Sequence, residues 1–307
     1  MPQVSVIIPN YNHAPFLKAR IDSVLSQSFK DFEIILLDDC STDASREIME
    51  TYRDKEKVAH IVFNEMNSGS PVAQWKKGIE LSQGQLIWIA ESDDLAEDSF
   101  LQTLVEGFNR YPDLLLAYCK SKMIDERGSF LKLADWMSPL DSQRWNESFV
   151  CETEEERYFL GFRNIIINAS AVLFKKQADF DFDSIMKMRF LGDWIFWRSL
   201  LSRTGKVFYT AAPLSSFRSH DQSTRTILHA QNELQLFAEY KKLVPSRLSP
   251  LEGRYDWIIQ QWNDRRALFK NTRYHYFPAL PRSLYPRYVL LMTLGPVYRR
   301  IKRILKN

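Results

Sequence analysis

The sequence predicts an α/β protein with a doubly wound, mostly parallel (mixed) sheet and a small helical C-terminal region. Short apolar runs alternate with segments of helical spacing, which is the pattern of parallel strands joined by helices. Two of these runs end directly in paired acids, at Asp38-Asp39 and Asp93-Asp94. Acidic and basic residues are also divided unevenly, so the C-terminal part forms a region of different character.

The apolar runs and their punctuation predict the order of the elements. Buried strands are predicted at 4–8, 32–37, 59–63, 86–90, 114–119, 165–174 and 206–209. Helices are expected from Pro15, over about 72–81, from beyond Leu95 to about Arg110, and from Asp193 onward. Residues 125–156 have no clear period and are predicted to be loops. Helical spacing returns at 226–243 and 254–269.

Composition excludes several classes of protein. The chain has 307 residues, 45% of them hydrophobic, so it can form a full core. Its cysteines (Cys40, Cys119 and Cys151) are scattered and odd in number, which argues against a disulfide scaffold and for a reducing compartment. We expect neither a signal peptide nor a membrane-spanning helix. The expected location is therefore cytoplasmic.

The C-terminal segment is strongly basic. Residues 265–307 contain eleven Lys or Arg and no acid, whereas the remaining 264 residues carry 30 basic and 38 acidic residues. Basic and aromatic residues together are compatible with nucleic-acid binding. The apolar stretch 289–297, bounded by tyrosines and followed by RRIKR, instead favours peripheral binding to an anionic inner membrane surface. A packed appendage or an oligomer contact is the remaining alternative.

The two acid pairs indicate a polar ligand. The carboxyl ends of parallel strands share one edge of a sheet, where open α/β sheets bind ligands. Carboxylates are suitable ligands for Mg²⁺ or Mn²⁺, which commonly accompany phosphates. The sequence has neither a GxGxxG turn nor a Walker-type loop, so a cation would have to neutralise the phosphate. The competing interpretation is that the acids cap the following helices.

The ordered motifs VSVIIPNYNHAPFLKARIDSVLSQSFKDFEIILLDDCSTD and GQLIWIAESDD resemble the family-2 glycosyltransferases, which have the GT-A fold. The resemblance covers about residues 1–225 and leaves 226–307 as the helical basic region. It implies a hexosyltransferase-type enzyme of glycan or polysaccharide synthesis that inverts the anomeric carbon. The implied donor is a nucleoside diphosphate sugar, most often a UDP-sugar, the acceptor a glycan or lipid-linked glycan, and the cofactor Mn²⁺ or Mg²⁺.

The resemblance also assigns residues. Pro9 and Tyr11 would line the base pocket, Asp39 would accept a hydrogen bond from uracil, and Asp93 would face the ribose. The full set implied for the nucleotide sugar is Pro9, Tyr11, Asn12, Asp39, Lys76, Asp93 and Arg218. Many relatives have an Arg-Asn pair where this chain has Gln74-Trp75-Lys76, so its donor contacts differ there.

The resemblance further implies a metal on Asp94, with His220 completing its coordination. Asp193, within GDWIFWR, would be the general base, and Glu91 is the second candidate. Two other functions remain open at this point. A sugar nucleotidyltransferase usually has a glycine-rich basic loop after its first strand, which this chain lacks. A nucleotide-sugar-binding or scaffold protein would bind the donor without turnover.

Overall fold

The computed structural model describes residues 1–135, 137, 140–161, 163–166 and 168–220, together with residues 235, 238, 239, 242 and 243. Two compact units are present: Met1–Leu160 with Asn164–His220, and Gly161–Arg163 with Asp221–Asn307. The predicted domain boundary at residue 225 stays a prediction. The helices predicted at 226–243 and 254–269 fall largely, and the basic tail wholly, outside the described residues.

Within the described residues of the first unit, ten strands form one mixed sheet. In chain order they are β1 Val4–Asn10, β2 Phe32–Asp38, β3 Val58–Phe63, β4 Leu86–Ile89, β5 Leu95–Ala96, β6 Leu114–Ile124, β7 Phe130–Leu133, β8 Phe149–Glu152, β9 Val172–Lys175 and β10 Lys206–Arg218. Their order across the sheet is β3-β2-β1-β4-β9-β6-β10-β5, with β7 on β6 and β8 on β10. The predicted mixed α/β sheet is confirmed.

Helices follow most of the strands, as the alternating pattern predicts. They are α1 Ala14–Leu25, α2 Ser45–Glu50, α3 Pro71–Leu81, α4 Phe100–Arg110, α5 Thr153–Leu160, α6 Phe182–Met186 and α7 Gly192–Leu200. Pro71 lies in the first turn of α3, where its missing N–H leaves no intrahelical bond unmade. None of the helices in the described ranges has the length and apolar character needed to cross a bilayer.

Strand β1 lies at the centre of the parallel part of the sheet. It pairs in parallel with β2 on one side and β4 on the other, with Asn10 opposite Asp38 and Ile7 opposite Ile89. Every residue of these three strands is buried. The two acid pairs therefore follow strands that end at the same edge, as predicted. Neighbouring strands are about 4.8 Å apart, so β2 and β4 lie roughly 10 Å apart across β1.

Proline at position 9 does not end the first strand. The first strand is predicted at 4–8, directly before Pro9, but β1 continues to Asn10. The backbone carbonyl of Ile7 points toward the β4 side and accepts from Ala90 N at 2.8 Å. The backbone carbonyl of Asn10 points toward the β2 side and accepts from Asp39 N at 2.9 Å. Pro9 therefore faces the β4 side beyond the last paired residue of that strand. Its missing N–H breaks no ladder bond there.

Three other predicted elements differ from the structure in extent or type. In the described part of the apolar run 165–174, a 3₁₀ turn precedes the short strand β9, because the Asn168 side chain accepts from Ser170 N and stabilises the turn. The strand predicted at 206–209 extends to Arg218, although its register shifts around Pro213 interrupt the simple alternation. Residues 125–156, predicted as loops, contain β7, β8 and the start of α5.

Gly84 lets the turn before β4 lie directly against β1. Its N–H donates to Ser5 Oγ at 2.8 Å. A Cβ added at Gly84 would lie 2.6 Å from the Ser5 nitrogen and 2.8 Å from the Val4 carbonyl carbon. Both neighbours are backbone atoms of the central strand, so they can move little.

We expect Gly84→Ala to lower the free energy of unfolding by about 1–3 kcal/mol, because the methyl group forces β1 and the turn apart. Chemical denaturation measures the change. Gln83→Ala, which trims an exposed side chain in the same turn, is the control. Equal stability of the two variants would contradict the close approach.

Candidate active site

The loops after β1 and β2 are held together by side-chain hydrogen bonds. Asn10 Nδ2 donates to Asp38 Oδ1 at 3.1 Å and to Ser41 Oγ at 3.2 Å. Asn12 N donates to Ser41 Oγ at 2.9 Å, and Asn12 Oδ1 accepts from Thr42 N at 2.8 Å. Asn12 has φ of 54°, a conformation that Asn adopts more readily than most residues. Asn12 thus braces the two loops.

Between these contacts, Tyr11 extends toward solvent. Its side chain is 46% exposed, while its neighbours Pro9 and Asn10 are buried. An exposed ring at the carboxyl edge of a parallel sheet is available for stacking on a planar ligand. The roles predicted for Pro9 and Tyr11 in a base pocket stay predictions.

The two acids at the end of β2 have different surroundings. Asp38 is fully buried and accepts from Ser41 N at 3.0 Å and from Arg46 Nε at 2.9 Å, so it holds the turn together. The carboxylate of Asp39 accepts from Asn64 Nδ2 at 2.7 Å, from Gln74 Nε2 at 2.8 Å, and from the amide and hydroxyl of Ser68. These four donors occupy the lone-pair positions that a carboxylate offers. Asp39 therefore anchors the loop before α3.

The interpretation that the acid pairs cap helices is wrong. Helix α2 begins after Ala44 and α4 after Ser99, and neither helix has a side-chain cap. Strand β5 directly follows Asp94 and pairs with β10, with Leu95 opposite Ser216. This pairing brings the end of β10 against the acids that follow β4.

Three strands therefore meet around Asp93 and Asp94. His220 Nε2 lies 2.8 Å from Asp93 Oδ2, and the backbone N–H of Arg218 donates to Asp94 Oδ1 at 3.0 Å. From the loop after β1, His13 Nδ1 lies 2.8 Å from Ser92 Oγ. In the described residues, Asp94 Oδ2 is buried and makes no hydrogen bond of standard geometry. The structure thus places His220 beside Asp93, and it adds His13 to this group.

Arg218 ties these segments together with its side chain. Its Nε donates to the Asp93 carbonyl at 2.7 Å, and Nη1 donates to the carbonyls of Asp125 and Glu126 at 3.0 and 2.8 Å. The guanidinium also lies 4.8 Å from the Phe16 ring centroid. Arg218 thus joins the end of β4 to the turn between β6 and β7. Its predicted contact with a phosphate stays a prediction.

Burial changes the acidity of the carboxyls at the end of β4. Burial, together with the charge of Asp93, raises the pKa of Glu91 to about 8 and the pKa of Asp94 to about 7. Trp75 opposes the shift at Glu91 by donating Nε1–H to Oε1 at 2.9 Å. Burial alone would raise the pKa of Asp93, but the hydrogen bond from His220 and the nearby charges of His13 and His220 together outweigh it, so the pKa of Asp93 is lowered. Perturbed, buried carboxyls of this kind are typical of functional sites.

Arg20 is a residue of this site that the sequence analysis missed. It is fully buried on α1, and its guanidinium nitrogens have no hydrogen-bond partner among the described residues. The guanidinium lies 4.9 Å from the Trp88 ring centroid. Burial lowers its pKa to about 10, while the charges of Asp94, Asp93 and Glu91 oppose this. Arg20 is therefore protonated at neutral pH. The sequence did contain a signal for this role, because an arginine lies within the apolar stripe of α1.

Helix α3 presents residues other than the predicted Lys76 to the site. Gln74 donates to Asp39 and Trp75 donates to Glu91, whereas Lys76 Nζ lies 4.0 Å from Glu80 on the outer face. Gln74 and Trp75 thus link α3 to the acids that follow β2 and β4. The role of Lys76 toward a phosphate stays a prediction.

Asp193 lies in the first turn of α7. Its Oδ2 accepts from Asn164 Nδ2 at 2.9 Å, and its Oδ1 accepts from Trp194 N at 2.7 Å. The same helix packs on Trp75, whose ring centroid is 5.5 Å from that of Phe196. Because Trp75 also donates a hydrogen bond to Glu91, its side chain links α7 to the acids after β4. The role of Asp193 as base stays a prediction.

Comparison with known proteins identifies the family. A family model described as Glycosyl transferase family 2 matches residues 5–167, more than half of the chain. The chain belongs to glycosyl transferase family 2. A relative, the putative teichuronic acid biosynthesis glycosyltransferase TuaG of Bacillus subtilis, is 39% identical over 105 residues. That match covers 34% of this chain and 41% of the relative. The predicted enzyme class, a glycosyltransferase, is confirmed at family level.

Solved structures confirm the fold of this family-2 member. S. aureus TarS 1-349 in complex with UDP-GlcNAc has a TM-score of 0.64 and 16% identity over 94% of this chain and 79% of that chain. The mannosyltransferase PcManGT from Pyrobaculum calidifontis, in complex with GDP-Man and Mn²⁺, has a TM-score of 0.57 and 13% identity over 87% and 72% of the two chains. The predicted GT-A type of α/β sheet is thereby confirmed.

Arg20 provides a test of the electrostatics. In the folded protein, Glu91 and Asp94 keep protons that the unfolded chain releases at lower pH, so stability falls as pH rises from about 4.5 to about 8. Arg20→Met removes a buried positive charge and raises both pKa values further. Without metal, we expect its free energy of unfolding to fall by about 1–3 kcal/mol more than that of the wild type between pH 5.5 and 8.5.

Denaturation in EDTA at several pH values measures this difference. Arg110→Met, at the exposed end of α4, is the control for loss of an arginine from a helix. Parallel pH profiles for the wild type and Arg20→Met would show that Arg20 does not stabilise the charged acids.

Proposed function

We propose that this protein transfers a sugar from a nucleoside diphosphate sugar, namely a UDP-sugar, to a hydroxyl of a glycan or lipid-linked glycan, with inversion. The observation that carries the proposal is the convergence of the β1, β2 and β4 loops, with Asp39 on one side and Asp93 and Asp94 on the other. The roughly 10 Å between β2 and β4 suits a ligand with a base at one end and a charged diphosphate at the other.

The donor's base is assigned to the β2 side of this edge. Tyr11 offers an exposed ring, and Asp39 offers a carboxylate in a loop rich in polar groups. The TarS complex with UDP-GlcNAc, a protein of the same fold, supports a uridine donor. Because the donors around Asp39 already occupy its oxygens, a base N–H has to displace one of them. Ser68, whose side chain lies in the exposed loop, is the one that can move most easily.

The diphosphate is assigned to the β4 side, with a divalent cation. The close pair of Asp93 and His220 and the buried Asp94 Oδ2 fit a cation, because carboxylate oxygens and imidazole nitrogens are donors for divalent ions and, among the described residues, Asp94 Oδ2 makes no hydrogen bond of standard geometry. Asp93, Asp94 and His220 would hold Mn²⁺ or Mg²⁺. When bound, such an ion stabilises the negative charge of the leaving diphosphate. The Mn²⁺ complex of PcManGT supports a metal in this fold.

Asp193 is proposed as the general base. Its position at the start of α7 leaves the carboxylate half-buried, and Asn164 and the Trp194 amide fix its orientation. It would take the proton from the acceptor hydroxyl as that oxygen attacks the anomeric carbon. The acceptor would reach it from the side opposite the leaving diphosphate. We further propose that the basic residues 265–307 hold the protein at a membrane surface that carries the acceptor.

The decisive experiment is nucleotide release from a panel of UDP- and GDP-sugars with Mn²⁺, with and without EDTA. We expect slow hydrolysis of one donor, abolished by EDTA and by Asp94→Ala. Acceptor-dependent acceleration would distinguish a transferase from a protein that only binds the nucleotide sugar. Failure to bind any nucleotide, with or without metal, would overturn the proposal.

Ser68→Ala tests the base site. Removing the hydroxyl that donates to Asp39 Oδ2 at 2.7 Å frees an acceptor for the base. We expect UDP to bind about three- to tenfold more tightly, the effect of one competing hydrogen bond, in isothermal titration calorimetry. Ser70→Ala, in the same loop and without a side-chain cap bond, should leave the affinity unchanged. Unchanged affinity for Ser68→Ala would place the base away from Asp39.

Asp193→Asn tests the base residue. We expect kcat to fall by about 10²–10⁴-fold because the amide cannot accept the proton, while the dissociation constant for the donor stays within a factor of two. Steady-state kinetics and donor titration measure the two quantities. Asp183→Asn alters another first-turn acid, on α6, and is the control. An unaffected kcat would assign the base elsewhere, with Glu91 as the next residue to replace.

A further inference from the structure

A second histidine lies beside the proposed cation site. His13 precedes α1, Asp93 follows β4 and His220 follows β10, so the three residues come from distant parts of the chain. One potential ligand atom from each lies within 4.8 Å of the other two. Ligands on opposite sides of an ion with bonds of about 2.1–2.2 Å are roughly 4.3 Å apart. Small shifts are therefore sufficient to surround one ion.

The surroundings of His13 hold its ring in place. Ser92 Oγ contacts Nδ1 at 2.8 Å, which leaves Nε2 as the nitrogen for a ligand. The His13 ring lies edge-on to His220 at 5.4 Å between centroids, and Phe16 packs against both rings. Metal-binding histidines typically have their second ring nitrogen fixed by a hydrogen bond of this kind.

We propose that His13 is a further direct metal ligand, so that two histidines, His13 and His220, join the carboxylates proposed above in a site that selects Mn²⁺ over Mg²⁺. This inference rests on the proposed function for its biological context, but the site is defined by geometry alone. Imidazole nitrogens suit first-row transition ions, whereas Mg²⁺ prefers an all-oxygen shell with several waters. The nucleotide-side loop thereby becomes part of the metal site.

The test is metal binding by the full chain, stripped with EDTA and desalted. Mn²⁺ affinity is measured by electron paramagnetic resonance and Mg²⁺ affinity by calorimetry, each with and without excess UDP. We expect His13→Ala to weaken Mn²⁺ binding at least tenfold and Mg²⁺ binding less than threefold. Ser92→Ala should weaken Mn²⁺ binding by a smaller factor, because it frees the ring without removing the ligand.

His60→Ala is the matched control. It removes a histidine from β3, at the far edge of the parallel strands, and should leave metal affinity unchanged. His220→Ala verifies that the assay detects loss of a ligand. Thermal melting of each variant separates loss of a ligand from loss of the fold.

Two results overturn the inference. The first is that His13→Ala binds Mn²⁺ as tightly as the wild type does, while His220→Ala no longer binds Mn²⁺. The second is that the wild type binds no Mn²⁺, with or without UDP. Donor hydrolysis is measured separately. If the protein hydrolyses a donor in a metal-dependent manner but His13→Ala leaves Mn²⁺ affinity unchanged, His13 is not a ligand and the proposed function stands. If Mn²⁺ binding depends on His13 but no donor is hydrolysed, the proposed function is wrong and the metal site stands.

Discussion

The parallel pairing of β1 with both β2 and β4 is the constraint on which the site depends. All three strands are buried, so a shift in register would move apolar residues out of the core and is strongly disfavoured. The pairing fixes where each strand ends and brings three loops to one edge. The loop contacts made by Asn10, Asn12 and Asp39 then follow from strand ends that are already adjacent.

Hydrogen-bond donors and positive charges around the acids at this edge reduce the free-energy cost of burying them. Glu91, Asp93 and Asp94 lie close together, and each is stabilised by a group from a different element: Trp75 Nε1–H, His220 and the Arg218 amide. Arg20 supplies a further positive charge from α1. The compensation is incomplete, because the pKa values of Glu91 and Asp94 remain raised. The cation proposed for this site would complete it.

Much of the fold and part of the site can be predicted from the sequence. The buried strands and the acids that end them are local signals, and the prediction that both acid pairs share one edge is confirmed. Predictions failed where local sequence was ambiguous. The apolar run 165–174 contains a turn held by Asn168, and β10 carries buried serines that conceal its length. Gln74 and Trp75 were missed because the carboxylates that they contact follow other strands. Arg20 was missed because its burial beside the acids depends on how α1 packs.

By itself, the sequence determined which segments become buried parallel strands and that acids follow two of them, because hydrophobic periodicity and chain polarity are local properties. Only the tertiary structure decided which side chains meet. His13 reaches Ser92 across 79 residues, and His220 reaches Asp93 across 127. These contacts depend on the order of strands in the sheet, above all on the short strand β5, which pairs with β10 directly after Asp94. Strand order is set by packing of the whole domain, so no local pattern contains it.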